Sequence, residues 1–253
     1  MVTGLLLRGL LAGLFAGLVA FGFARVFGEP QIDRAVAFEE QIDQAKGQGA
    51  EPELVSRQTQ AGLGLFTASL AYGAALGGLL ALGFAFAYGR AGNSSPRATA
   101  AWLALAGFVL TVLVPALKYP PNPPAIGDPA TIGQRTALYF IMIASSLAAG
   151  AVAVGLAQRL GERLGAWNAA LIAAFAFLCT IGAVGYVLPA VNEVPGEFSA
   201  VLLWHFRIVS LGVQAVLWTT LGLTFGVAAE KYLGWDAQRR RAAFGSLLRQ
   251  APR

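Results

Sequence analysis

Residues 136–157 read Thr136-Ala-Leu-Tyr-Phe-Ile-Met-Ile-Ala-Ser-Ser-Leu-Ala-Ala-Gly-Ala-Val-Ala-Val-Gly-Leu-Ala157, without one charged side chain. That length matches the roughly 20 residues a helix needs to cross about 30 Å of hydrocarbon. A short link then gathers Arg159, Glu162 and Arg163, and a second uncharged run follows from Trp167 to Ala190. Two helices crossing a bilayer and joined by a basic turn account for this order. Four more runs share the character: residues 5–27, 61–88, 98–117 and 200–229. The sequence therefore predicts an all-α integral membrane protein, a bundle of six transmembrane helices forming one polytopic domain over 1–253, with a basic tail at 230–253. Composition agrees, since 57% of the chain is hydrophobic and 12% charged.

The links between the runs alternate in sign. Arg8, Arg90, Arg97, Arg159, Arg163 and the tail with Lys231, Arg239, Arg240, Arg241, Arg249 and Arg253 fall on one side. The other side receives Glu29, Asp33, Glu39, Glu40, Asp43, Glu51, Glu53, Asp128, Glu193 and Glu197, ten of the thirteen acids. Excess Lys and Arg mark the cytoplasmic side, which predicts cytoplasmic N and C termini in an inner (cytoplasmic) membrane. The net charge of +5 thus reads as an orientation signal, with the tail meeting anionic lipid; no nucleic-acid motif is present. The first run is too long for a signal-peptide core and is read as a retained span. Cys179, the single cysteine, falls inside the fifth run and is expected to be a small core residue.

Small residues recur at four-residue spacing: Gly9, Gly13 and Gly17 in the first run, Gly73 and Gly77 in the second, Ala151 and Gly155 in the fourth. Such faces let helix backbones approach closely where lipid removes the hydrophobic drive to associate. A weak internal repeat is also visible. The third run exits through Val114-Pro115-Ala116 with Arg135 entering the fourth, the fifth exits through Leu188-Pro189-Ala190 with Arg207 following, and Arg57 enters the second. Three pseudo-repeated helical hairpins would produce this pattern. Of the outer links, the first should hold a surface helix beginning at Glu29-Pro30, with Ile32, Ala35, Val36, Phe38, Ile42 and Ala45 as its apolar stripe. The second, with Pro120, Pro121, Pro123, Pro124 and Pro129, should be an extended rigid cap.

Enzymatic constellations are missing. One histidine, one cysteine, no P-loop, and no HExxH or CxxC motif leave no basis for catalysis, a tightly bound cofactor or ATP-driven pumping. What remains is a polar ring at the outer helix ends: Arg25, Arg57, Lys118, Asp128, Arg135 and Arg207 as a structural ion-pair ring, and Glu29, Asp33, Glu193, Glu197 and His205 as candidate metal contacts. Carboxylates suit a hard cation and imidazole a borderline transition metal. Arg207, several residues inside the sixth run, should snorkel outward or meet an acid. The plainer reading is a set of ion pairs tying the outer links to the helices. A single imidazole does not make a site, so a complete transition-metal site would need ligands from a second polypeptide.

Three segments together carry a resemblance: Gly28-Glu29-Pro30-x-Ile32-Asp33; Pro115-x-x-Lys118-Tyr119-Pro120-x-Asn122-Pro123-Pro124-Ala125-x-Gly127 with Arg135 behind it; and Asn192-Glu193-x-Pro195 followed by Leu203-Trp204-x-Phe206-Arg207. The chain resembles the CbtA family over nearly its whole length. That resemblance implies the probable membrane subunit of a cobalt uptake system, with cobalt or another divalent cation as substrate. It also implies a small single-span companion, CbtB, bearing histidines near its terminus. The family is usually described with five spans, whereas the charge alternation here calls for six. The competing expectation is a non-catalytic assembly subunit of a larger membrane complex, served by the same small-residue faces and capped links.

Overall fold

The first span is a helix, α1 (Val2–Phe23), that does not stop where the charges begin. A π-helical turn, Ala24–Gly28, carries it into α2 (Glu29–Ala45), so the outer surface helix expected from Glu29-Pro30 is present but continuous with the span. In an α-helix a proline ring collides with the carbonyl four residues back. For Pro30 that residue is Val26, inside the wide turn, which moves the carbonyl aside. The same device recurs later. A π-helical turn at Val109–Leu113 contains Thr111, four residues before Pro115.

In the computed structural model, residues 1–45, 55–90, 94–124 and 126–250 are described, the side chains of 43, 45 and 235–250 excepted. A helical turn at Arg57–Thr59 and a third π-helical turn at Gln60–Gly64 lead into α3 (Leu65–Ala87). Then come α4 (Pro96–Phe108), the short α5 (Val114–Lys118), a 3-10 turn at Pro129–Thr131, α6 (Ile132–Val187) and α7 (Ala200–Gln250). No strand occurs among the described residues. Of the expected link and tail residues, Glu51 and Glu53 lie outside the described residues, as does Arg253.

Among the described residues five helical runs are long and apolar enough to cross a membrane: Val2–Ile42, Arg57–Ala87, Pro96–Lys118, Pro129–Val187 and Ala200–Gly234. The fourth is 59 residues long and is broken at Gly165 (φ 78°, ψ 156°), which separates a helix over 132–164 from one over 166–187. Only glycine holds that backbone conformation without strain.

The chain forms two compact units. The first draws on Met1–Arg25, Leu54–Ala106 and Val213–Arg253. Within it α1 and α3 run antiparallel with their backbones in contact: Gly9 faces the carbonyl of Gly77, Gly13 that of Gly73, and Gly17 that of Ser69. A Cβ at any of these glycines would collide with the opposing main chain. A second close approach sets Gly222 and Gly226 of α7 against Ala104, Ala100 and the backbone of Arg97 in α4. Phe84 fills the adjoining core, fully buried, edge-on to Phe225 and stacked on Tyr88. At one end Arg97 Nε meets Glu230 Oε2 at 2.6 Å, and the Arg8 guanidinium lies 4.1 Å from the centroid of the Tyr232 ring.

The second unit draws on Val26–Glu53 and Gly107–Gly212. Here α2 lies with Ala35 buried against Ile126 and Phe198, and Phe38 edge-on to Phe198 at 5.0 Å. Ala35 and Phe38 of the predicted stripe thus form the packed face, while Asp33 and Glu40 are exposed; the side chain of Ala45 lies outside the described residues. In the first part of α6, Leu138, Met142, Ser146 and Ala149 are buried and Gly150 abuts Leu110. The face expected at Ala151 and Gly155 is therefore misplaced: Ala151 is exposed, and a side chain at Gly155 would meet nothing. Cys179 is likewise exposed rather than a core residue, on a helix that buries only Ala169 and Ala173. An apolar sequence cannot separate lipid-facing from buried positions, because both faces are apolar in a bilayer.

Candidate functional site

The second and third acidic links meet at Glu193. Its Oε2 accepts from the backbone N–H of Asp128 at 2.9 Å, and its Oε1 accepts from Thr131 Oγ1 at 2.6 Å. Arg135 Nε stands 3.3 Å from Oε2. The Thr131 hydroxyl, then the Asp128 N–H and the Arg135 charge, hold the Glu193 carboxyl below its usual range against a smaller opposing effect of desolvation. Asp128 is used locally: its Oδ1 accepts from Ala130 N–H at 2.8 Å and starts the 3-10 turn, while its carbonyl accepts from Arg135 Nη2 at 3.2 Å. Pro129 therefore opens a helical turn inside a link expected to be extended throughout, because a proline at a first helical position loses no bond.

Gly127 explains why that corner needs glycine. Its φ of 116° is a conformation that residues with side chains avoid, and the space a Cβ would take is filled by the Arg135 guanidinium, whose Cζ would lie 2.8 Å away.

The proline-rich link is fastened at two more points. Arg207 Nη2 donates to Asn122 Oδ1 at 2.9 Å and Nε to the Pro121 carbonyl at 3.3 Å, so this arginine meets neutral acceptors of the link instead of a carboxylate. Tyr119 donates its hydroxyl to the Pro189 carbonyl at 2.8 Å, across to the third link. Pro115 and Pro123 are fully buried and Pro124 is exposed, with Pro120 in between. These signature residues thus act as a knot joining links two and three and the start of α7. Nothing in their spacing along the chain foretold that Asn122 would receive Arg207.

The other candidates are dispersed. Glu29 is 4% exposed and engaged, and Asp33 is exposed and also engaged. Glu197 and His205 are exposed, Trp204 is 63% exposed, Arg57 is half-buried and engaged, Arg25 is exposed, and Lys118 Nζ lies 5.9 Å from the Tyr119 ring centroid. Among the described residues no three His, Cys, Asp or Glu side chains gather closely enough to hold a metal ion. Of the groups singled out from sequence, the structure brings together Glu193, Asp128 and Arg135, with Thr131 as an added member. That threonine had no signal of its own, because it becomes a partner only once links two and three meet.

No curated protein and no solved structure matches the chain. Among known protein families, one model matches residues 2–230, that of CbtA, described as "Probable cobalt transporter subunit". The match takes in four apolar helical runs whole, all but the last four residues of the fifth, and the Glu193 knot with both of its links. A transporter subunit names no reaction, in keeping with a chain built of membrane helices and fastened links. On that coverage, the chain belongs to the CbtA family of probable cobalt transporter subunits.

Proposed function

We propose that this chain is the multi-pass subunit of a cobalt (or related divalent cation) uptake system in the inner membrane, working with a small single-span partner that supplies histidines. Both termini are cytoplasmic in this reading, and six helices cross. Parity supports six. Arg8 at the start of the first span touches Tyr232 beyond the last, and Arg97 at the start of the third pairs with Glu230. An even number of crossings must separate positions at one end of a bundle, which the Gly165 break supplies by making two spans of α6. The three-hairpin arrangement is part of the same proposal.

The observation that carries the functional reading is the contrast between carboxylates. Glu193 is fully engaged by Thr131, Asp128 and Arg135, whereas Glu197 and His205 stay exposed at the start of α7 and the link before it. Glu29 and Asp33 are both engaged, so the reading rests on the exposed donors Glu197 and His205. Two donors bind a transition metal weakly, since tight sites use three or four, so a partner completes the set.

Cobalt accumulation in cells expressing this chain with and without the companion tests the reading. Uptake should require both. Glu197→Gln and His205→Ala should each lower it several-fold at unchanged protein level. A second reading, a non-catalytic assembly subunit, is favoured by the consumption of Glu193 by Arg135. Unchanged uptake in the Glu197→Gln, His205→Ala double variant, correctly inserted, decides for that second reading.

A further inference from the structure

Lys118 and Arg207 of the second unit meet no carboxylate among the described residues. Arg207 is half-buried and, among the described residues, bonds to the Pro121 carbonyl and Asn122 Oδ1, while Lys118 Nζ lies 5.9 Å from the centroid of the Tyr119 ring. They are linked through one segment, since Lys118 precedes by three and four residues the two positions that hold Arg207. Nε and Nη2 of Arg207 face the link, and Nη1 has no hydrogen-bond partner among the described residues. A half-buried guanidinium covered only in part by neutral dipoles is costly unless a counter-charge reaches it.

The surroundings say what kind of anion fits. Each cation stands next to apolar surface that faces outward: Leu117, beside Lys118, is 78% exposed, and Trp204 and Ile208, one turn before and one residue after Arg207, are 63% and 48% exposed. A free anion gains nothing from such a surface. A molecule with an anionic head and a hydrocarbon chain uses both parts, the forked guanidinium and the ammonium suiting phosphate oxygens. We propose that Lys118 and Arg207 hold the phosphate of an anionic phospholipid at the proline-rich link, its acyl chain lying along Trp204 and Ile208.

The full-length protein is reconstituted in nanodiscs of phosphatidylcholine, with and without phosphatidylglycerol, and its unfolding midpoint and retained lipid are measured. Phosphatidylglycerol should raise the midpoint by several degrees over phosphatidylcholine, whose phosphate is offset by its own choline. Lys118→Gln, which leaves the Arg207 bonds to the link in place, should weaken phosphatidylglycerol retention roughly fivefold. Arg207→Gln should abolish the difference between lipids, although it also loosens the link, so Lys118→Gln is the decisive variant. Equal midpoints in the two lipids, or undiminished retention in Lys118→Gln, overturns the proposal. The same shift produced by inorganic phosphate in phosphatidylcholine alone overturns it too, since the ligand would then be a free anion.

Discussion

Glu193 shows how one side chain fixes two links at once. Its carboxylate is the acceptor for a backbone N–H and for the Thr131 hydroxyl, which also lies 2.9 Å from the Asp128 carbonyl. A carboxyl whose folded pKa is depressed contributes stability that is fully present above its unfolded pKa and is lost as pH falls through the folded value. The protein should therefore lose stability below the ordinary carboxylate range. In Glu193→Gln, which keeps one acceptor oxygen but no charge, the acid-induced fall of the unfolding midpoint should be smaller, and the midpoint at neutral pH lower. If parent and variant fall in parallel between about pH 6 and 3, the Glu193 knot does not titrate as described. The pairing of Arg135 with an outer acid was legible in the sequence, since both stand at helix ends on the acidic side. The hydroxyl of Thr131 and the Asn122 amide that receives Arg207 were not, because each depends on two links meeting that are far apart along the chain.

At the scale of elements, the glycines decide how closely helices approach, and lipid decides which glycines matter. Gly13 sits against the carbonyl of Gly73 and Gly9 against that of Gly77, so the α1–α3 contact is backbone on backbone. Gly155 has the same spacing from Ala151 and touches nothing. Gly13→Leu should lower the unfolding midpoint in detergent strongly, because a backbone carbonyl cannot rotate away as a side chain can; overpacking of this kind costs about 1–3 kcal/mol or more. Gly155→Leu should be close to neutral. Equal effects at the two sites would show that the α1–α3 seam does not hold the first unit together. The small-residue spacing was readable for α1 and α3, where both partners carry it. It misled for α6, where spacing alone cannot say whether the face meets a helix or lipid, and Gly222 and Gly226, which do meet α4, have the same signature. The π-helical turns were invisible, although Pro30 and Pro115 hinted at them: a proline in an apolar run must be preceded by a displaced carbonyl, and the wide turn is how the helix provides one.

For the whole molecule, the apolar runs settled the class of fold, and the sign of the links proposes an orientation that labelling must test. The number of crossings turns on residues 158–166. Read by length, α6 is one helical run of 56 residues, about 84 Å at 1.5 Å per residue, well over twice the hydrocarbon thickness. In the proposed six-span arrangement two crossings joined at Gly165 use that length, and α7 then ends where Glu230 meets Arg97. Single cysteines at Arg97, Asp128, Arg159 and Glu197, in a Cys179→Ser background, separate the possibilities with an impermeant thiol reagent on intact cells. Six spans with cytoplasmic termini predict labelling at Asp128 and Glu197, and labelling at Arg97 and Arg159 only after the membrane is opened. With five spans α6 crosses once, so Asp128 and Glu197 fall on opposite sides and only one of them labels. Six spans in the reverse orientation exchange the two pairs. Arg159 completes the test, because a hairpin turning at Gly165 sets it on the side opposite both Asp128 and Glu197.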